Sequence, residues 1–141
     1  MTVRYLLDTN ICIYVAKNSP AEVRERFARH SASELAISVI TQGELLYGAE
    51  KSQSRERALA VLERLTSLIR VEPLPEEVAA HYGEIRAQLQ ARGEIIGNND
   101  LWIAAHARSR GWVLVTNNER EFLRVPGLAV ENWGAPVSSG R

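Results

Sequence analysis

Three carboxylates carry most of the chemical promise of this 141-residue chain: Asp8, Glu44 and Asp100. Asp8 closes the apolar run Val3–Leu7 and is followed by Thr9-Asn10, residue types that favour helix starts. Glu44 comes just after a second compact run, Leu35–Ile40, and Asp100 ends the Asn98-Asn99-Asp100 triplet that opens a late helical stretch. Asn117 and Asn118 follow a third apolar run, Trp112–Val115. Carboxylates crowded at one place repel one another and resist desolvation unless a cation joins them. With no His or Cys at ligand spacing, such a cation would be Mg²⁺ or Mn²⁺ rather than zinc. A phosphodiester beside it would be open to attack by an activated water, which is nuclease-type chemistry. For Asp8 a plainer role, capping the helix that follows, stays open.

Those residues meet only if the apolar runs are parallel strands, because ligands in open α/β sheets bind outside the carboxyl ends of the strands. The pattern predicts strands at 3–7, 35–40 and 112–115, a short last one at 128–130, and an extended segment from Arg70 closed by Pro73 and Pro75. Helical spacing is expected over 11–17, 21–30, 55–68, 76–91 and 98–111, with a break at Asn18-Ser19-Pro20. Another helix should start at Thr41 as N-cap, with Glu44 completing a capping box. Leu59, Leu62, Leu65 and Leu68 form one stripe on the 55–68 helix. Strands alternating with helices imply a single α/β domain, a mostly parallel sheet of about four or five strands with helices on both faces. The domain should span 1–133, with 134–141, rich in Gly, Pro and Ser, as a flexible C-terminal tail.

Composition is that of an ordinary globular chain, 45% hydrophobic and 24% charged, with no apolar run near the roughly 20 residues a membrane helix needs. A formal net charge of +0 argues against a dedicated nucleic-acid-binding module but leaves room for local patches. Arg24, Arg26 and Arg29, then Lys51, Arg55 and Arg57, and later Arg86 and Arg92 are such groups, though interleaved glutamates make solvated faces the expectation. Cys12 is the only cysteine, which excludes an internal disulfide and, with no signal-peptide pattern, fits a cytoplasmic protein. It reads as a buried structural thiol.

Four segments together resemble the PIN-domain nucleases, and more narrowly the VapC toxins of bacterial toxin–antitoxin pairs. They are Leu6-Leu7-Asp8-Thr9-Asn10, Thr41-Gln42-Gly43-Glu44-Leu45 with Tyr47-Gly48, Asn99-Asp100 with Ile103-Ala104-Ala105-His106-Ala107, and Val115-Thr116-Asn117-Asn118 with Glu121-Phe122. Each is weak alone; four in order are specific. The resemblance implies a PIN-like fold and an endoribonuclease dependent on Mg²⁺ or Mn²⁺ that leaves a 3′-hydroxyl and a 5′-phosphate. It assigns Asp8, Glu44 and Asp100 to the acidic metal-site positions; in the mechanism expected from this, Asp8 and Asp100 hold the ion directly and Glu44 binds it through water or orients the attacking water. The family often has a fourth acid where this chain has Asn118, and Thr9 and Thr116 match supporting polar positions. Also implied are a VapB-type antitoxin covering the acidic pocket, a toxin homodimer, and operator DNA bound only through the antitoxin. The leucine stripe would form part of the antitoxin groove, or simply core. The favoured substrate is tRNA, by likeness to toxins that cut the anticodon loop of initiator tRNA, although no residue here reads a base.

Other residues have plainer readings. His106 should be a packed or capping histidine, and His30 and His81 surface residues; Trp102 and Trp112 should be core, with Trp133 anchoring the last strand. Tyr47 could line an RNA groove, but packing is the expectation. Glu119 and Glu121 are nearby acids that could substitute for the fourth acid, but a surface role is the expectation. Two rival functions remain: another α/β phosphohydrolase with Asp8 as nucleophile, disfavoured by Asn10 where a second Asp is usual, and a catalytically weakened RNA-binding module.

Overall fold

The structure, a computed structural model, describes residues 2–17 and 20–134. The expected break at Asn18-Ser19 and all of the proposed tail except Gly134 lie outside that range. Five short strands form one sheet in the order β3-β2-β1-β4-β5, every neighbouring pair parallel. They are β1 (Tyr5–Leu7), β2 (Leu35–Ser38), β3 (Arg70–Glu72), β4 (Val113–Val115) and β5 (Ala129–Glu131). Seven α-helices connect them among the described residues: α1 (Thr9–Lys17), α2 (Ala21–Ala28), α3 (Val39–Glu50), α4 (Arg55–Leu68), α5 (Val78–Ala91), α6 (Asn98–Arg110) and α7 (Glu119–Phe122).

Alternation along the strands divides the apolar residues into two layers. Leu6, Ala36 and Leu114 face the layer filled by Ile85 and Leu89 of α5, Ile103 and Ala107 of α6, and Phe122. Tyr5, Leu7, Leu35, Ile37 and Val115 face the other, with Ile11 and Cys12 of α1, Val23 of α2, Leu65 of α4 and Trp133. Both faces being covered explains why the strands read as unbroken apolar runs. Chain order runs outward from β1 in both directions, so a crevice opens where β1 and β4 diverge, at their carboxyl ends. Asp8 follows β1 there and Thr116 follows β4; the Asp8 N–H donates to the Val115 carbonyl at 2.9 Å.

Helix ends follow local chemistry, with one correction. The expected capping box at Thr41 does not form. Ser38 is the N-cap instead, its Oγ accepting from the Ile40 N–H at 3.1 Å, and Val39 and Ile40 become the first turn of α3 rather than the end of β2. Thr41 is buried within that helix, its hydroxyl without a hydrogen-bond partner among the described residues. A hydroxyl earlier in the run had already satisfied the helix start, which the apolar pattern concealed. At the other end of α6, Gly111 has φ 69°, and the N–H groups of Gly111 and Trp112 return to the Arg108 and Ala107 carbonyls. A Cβ at Gly111 would meet no described residue within 4 Å beyond its chain neighbours, so Gly111→Ala should cost only its backbone strain. Urea titration should find the variant about 1 kcal/mol less stable, with activity retained.

Trp133 anchors the last strand as expected: fully buried, it stacks on His30 with ring centroids 4.9 Å apart. That contact removes His30 from the surface role expected of it. His81 is likewise half-buried, accepting from Arg108 Nε at 2.9 Å. Trp102 and Trp112 are partly buried against the α5–α6 layer, and Trp102 stacks on Tyr82.

Candidate active site

The sheet brings the sequence-predicted acids to its carboxyl edge. Asp8 is 5% exposed. Its Oδ1 accepts from the Ile11 N–H at 2.9 Å, so the capping role is real, while Oδ2 accepts from the Thr116 hydroxyl. Thr116 in turn accepts from the Asn118 N–H at 2.8 Å. These contacts lock the β4 exit against the β1 exit. They also leave Asp8 as a buried carboxylate without a cationic partner among the described residues.

Glu44 reaches the same edge from α3. The Thr9 hydroxyl donates to its Oε1 and the Asn99 amide to its Oε2 at 3.3 Å, tying α3 to the starts of α1 and α6. Asp100 sits in the first turn of α6 and is partly buried. Its carboxyl is pushed up to about 6 by burial, then by the negative charges of Glu44, Glu121 and Asp8. The Asp8 carboxyl is also raised to about 6, chiefly by burial and further by Glu44, with the Thr116 and Ile11 hydrogen bonds opposing. Burial and the shared Glu44 charge thus push two acids far apart in sequence toward their protonated forms at one site.

Glu121 is the site residue that sequence reasoning misplaced. Rather than standing at the surface, it is half-buried and acts on Asp100. The Asn118 amide donates to its Oε2 at 3.0 Å. The residue at the family's fourth acidic position therefore orients an acid three residues on, one turn into α7. The available signal was that spacing: a side chain at the cap and one at i+3 share a helix face. Glu119 does stand away, exposed and accepting from Asn132.

A divalent ion fits this donor set. Every donor is a hard oxygen, and the burial of Asp8 and Asp100 beside the Glu44 carboxylate, which raises both, is what a cation would offset. Among the described residues, no three acidic, His or Cys side chains already surround one point at ligand distance. Glu44 is instead turned onto Thr9 and Asn99.

Beside the acids, α1, α3 and α4 enclose an open cleft of about 770 Å³. Thr9 and Glu44 line its acidic part, Ile13, Leu45, Val61 and Leu62 its apolar part, and Arg57 and Arg64 are also on its wall. Of the leucine stripe, Leu62 lines this cleft and Leu59 a smaller depression beyond Leu45, whereas Leu65 is core and Leu68 faces solvent. Of the other basic groups, Arg26 pairs with Glu131 and Arg55 with Glu50, while Arg86 donates to the Tyr82 hydroxyl. Tyr47 does not pack; it is 66% exposed. Cys12 is buried, its thiol raised by burial, as a structural cysteine should be. His106 is buried against Ser38, at 3.0 Å from its hydroxyl, with its imidazole lowered to about 4 by burial, so it packs as a neutral ring.

Residues 5–128 match the model of the PIN domain. A protein of Shigella flexneri named tRNA(fMet)-specific endonuclease VapC is 52% identical over 131 residues, which cover 93% of this chain and 98% of that one. The chain is a PIN-domain protein of the VapC family. Ribonuclease VapC2 of Haemophilus influenzae is 50% identical over the same shares. The toxin in the crystal structure of DNA-bound VapBC from Salmonella typhimurium superposes with a TM-score of 0.88 at 48% identity, covering 94% of this chain and 99% of that one. The expected PIN fold and VapC likeness are borne out, and PIN-domain nucleases as a group depend on divalent metal. No helix among the described residues is long and apolar enough to cross a membrane.

Proposed function

We propose that the chain is the toxin of a type II toxin–antitoxin pair, an endoribonuclease that hydrolyses tRNA, with the anticodon loop of initiator tRNA as favoured substrate, and so inhibits translation in the cytoplasm. The observation that carries the chemistry is the gathering of Asp8, Glu44 and Asp100 at the edge of a parallel sheet, where burial first and then the Glu44 charge push both Asp carboxyls up to about 6. Relatives named for initiator-tRNA cleavage and VapBC assemblies support the biological setting. A bound Mg²⁺ or Mn²⁺ would supply a water of lowered pKa and positive charge beside the phosphate. Asp8 and Asp100 would hold it. Glu44, released from Thr9, would orient the attacking water, and Glu121 would complete the negative charge that Asn118 lacks. Thr116 and the Ile11 N–H fix the Asp8 carboxylate so that it need not reorganise during the reaction.

The partners follow from the same reading. A VapB-type antitoxin segment would lie in the α1–α3–α4 cleft and cover Glu44, its apolar side chains against Leu45, Val61 and Leu62. The toxin would be a homodimer, meeting operator DNA only through the antitoxin. Purified chain incubated with total tRNA should yield one cleaved species with 5′-phosphate and 3′-hydroxyl ends, and EDTA should stop the reaction. Expression should arrest growth, with rescue by a neighbouring antitoxin reading frame. Intact tRNA in the presence of Mn²⁺, with growth unaffected, would contradict the assignment.

A further inference from the structure

Along α3, a solvent-facing stripe, Gly43, Tyr47 and Lys51, runs beside Glu44. At 100° per residue, Gly43, Tyr47, Lys51 and Glu44 fall within a single quarter to third of the helix circumference. The opposite side carries Thr41, Leu45 and Ala49 into the core. Tyr47 is 66% exposed, and Lys51 Nζ lies 4.9 Å from the ring centroid. Glu50, the nearest acid on the outer side, is bound by Arg55 through two hydrogen bonds of 2.7 and 3.0 Å, so the net charge beside the ring is positive. Val39 and Leu46, the exposed aliphatic residues of this helix, sit on the flank turned away from Glu44.

Gly43 supplies an independent observation. A glycine inside a helix is unfavourable relative to alanine. Yet a Cβ there would meet nothing among the described residues within 4 Å beyond its chain neighbours and its own helix backbone, so no packing neighbour requires its absence. The room it leaves is external, one turn below Tyr47 and next to Glu44.

We propose that this stripe is a nucleobase platform: a base of single-stranded RNA next to the scissile phosphate stacks on Tyr47, its backbone passes over Gly43, and Lys51 takes a neighbouring phosphate. An aromatic face with an adjacent cation is the usual means of holding unpaired nucleotides without reading their sequence. The rise of 1.5 Å per residue puts Tyr47 about 4.5 Å along the axis from Glu44, within reach of the first nucleotides flanking the site. This assignment rests on the nuclease reading above.

Binding of a fluorescent single-stranded oligoribonucleotide to the full-length Asp100→Asn protein tests it by anisotropy, alongside cleavage by the wild type. Tyr47→Ala should weaken binding about tenfold and Tyr47→Phe should stay within about twofold. Lys51→Gln should reduce the slope of binding against salt by about one unit. Gly43→Ala should melt about 2–4 °C higher while binding RNA less tightly, a combination that a purely structural glycine would not give. If the wild type cleaves RNA but Tyr47→Ala binds as the parent does, the platform is wrong and the nuclease reading stands. If the wild type neither cleaves nor binds, both fail. If Tyr47→Ala alters only self-association or antitoxin binding, the stripe is a protein interface and the proposal is overturned.

Discussion

Asp8→Asn is expected to lower RNA cleavage about a thousandfold and, in the metal-free protein above pH 6, to make the fold more stable than wild type. The first effect follows from removing a charge that would hold a divalent ion, a contribution of several kcal/mol to the transition state. The second follows from linkage. The Asp8 carboxyl stands at about 6 in the folded chain against 3.8 for the ordinary group, so the folded state binds its proton more tightly than the unfolded one. Its favourable contribution is complete below pH 3.8 and is lost as pH rises through 6. Fully developed, the difference is about 3 kcal/mol of destabilisation at pH 7 and above. Asparagine carries no charge and still presents an oxygen to the Ile11 N–H, though it must repair the Thr116 contact, so a net gain of about 1–2 kcal/mol remains. Denaturant titrations in EDTA at pH 5 and pH 8 should show wild type losing stability with pH more steeply than the variant. A variant less stable than wild type at pH 8 would reduce Asp8 to a helix cap.

Glu121→Gln should lower cleavage about a hundredfold, the cost of removing one charged group aimed at a reacting centre, whereas Asn118→Ala should cost only severalfold. The contrast separates the two residues near the family's fourth acidic position. Asn118 acts by donating to Glu121, and Glu121 acts by its charge on Asp100. Glu121→Gln should also bring the Asp100 midpoint down from about 6, although not to the ordinary range, because burial is the larger cause. Carboxyl NMR titration of the metal-free protein reads that shift directly. Equal losses from the two substitutions would instead make Asn118 a ligand in its own right.

The fold was legible because both faces of the sheet are covered, so strands appear as unmixed apolar runs and helices by their own period. Asp8, Glu44 and Asp100 were legible as residues at strand exits and helix starts. What the pattern hid were choices between equivalent local partners. Ser38 and Thr41 could each cap α3, and the earlier hydroxyl does, which frees Glu44 to bond Thr9 instead of its own helix start. Glu119 and Glu121 flank one position and differ only in which side of a four-residue helix they occupy. His30 looked like a surface residue because its partner, Trp133, lies about a hundred positions away. Tyr47 looked like core because helices usually bury their aromatics, and only the turn of α3 against its neighbours decides otherwise.

Calorimetric titration of metal-free protein with Mn²⁺ at pH 7.5 bears most directly on whether Asp8 and Asp100 share an ion. Wild type should bind Mn²⁺, and both Asp8→Asn and Asp100→Asn should abolish the binding together with RNA cleavage. Binding unchanged in both variants, or full cleavage by wild type in EDTA, would show that these carboxylates converge for some purpose other than holding a metal.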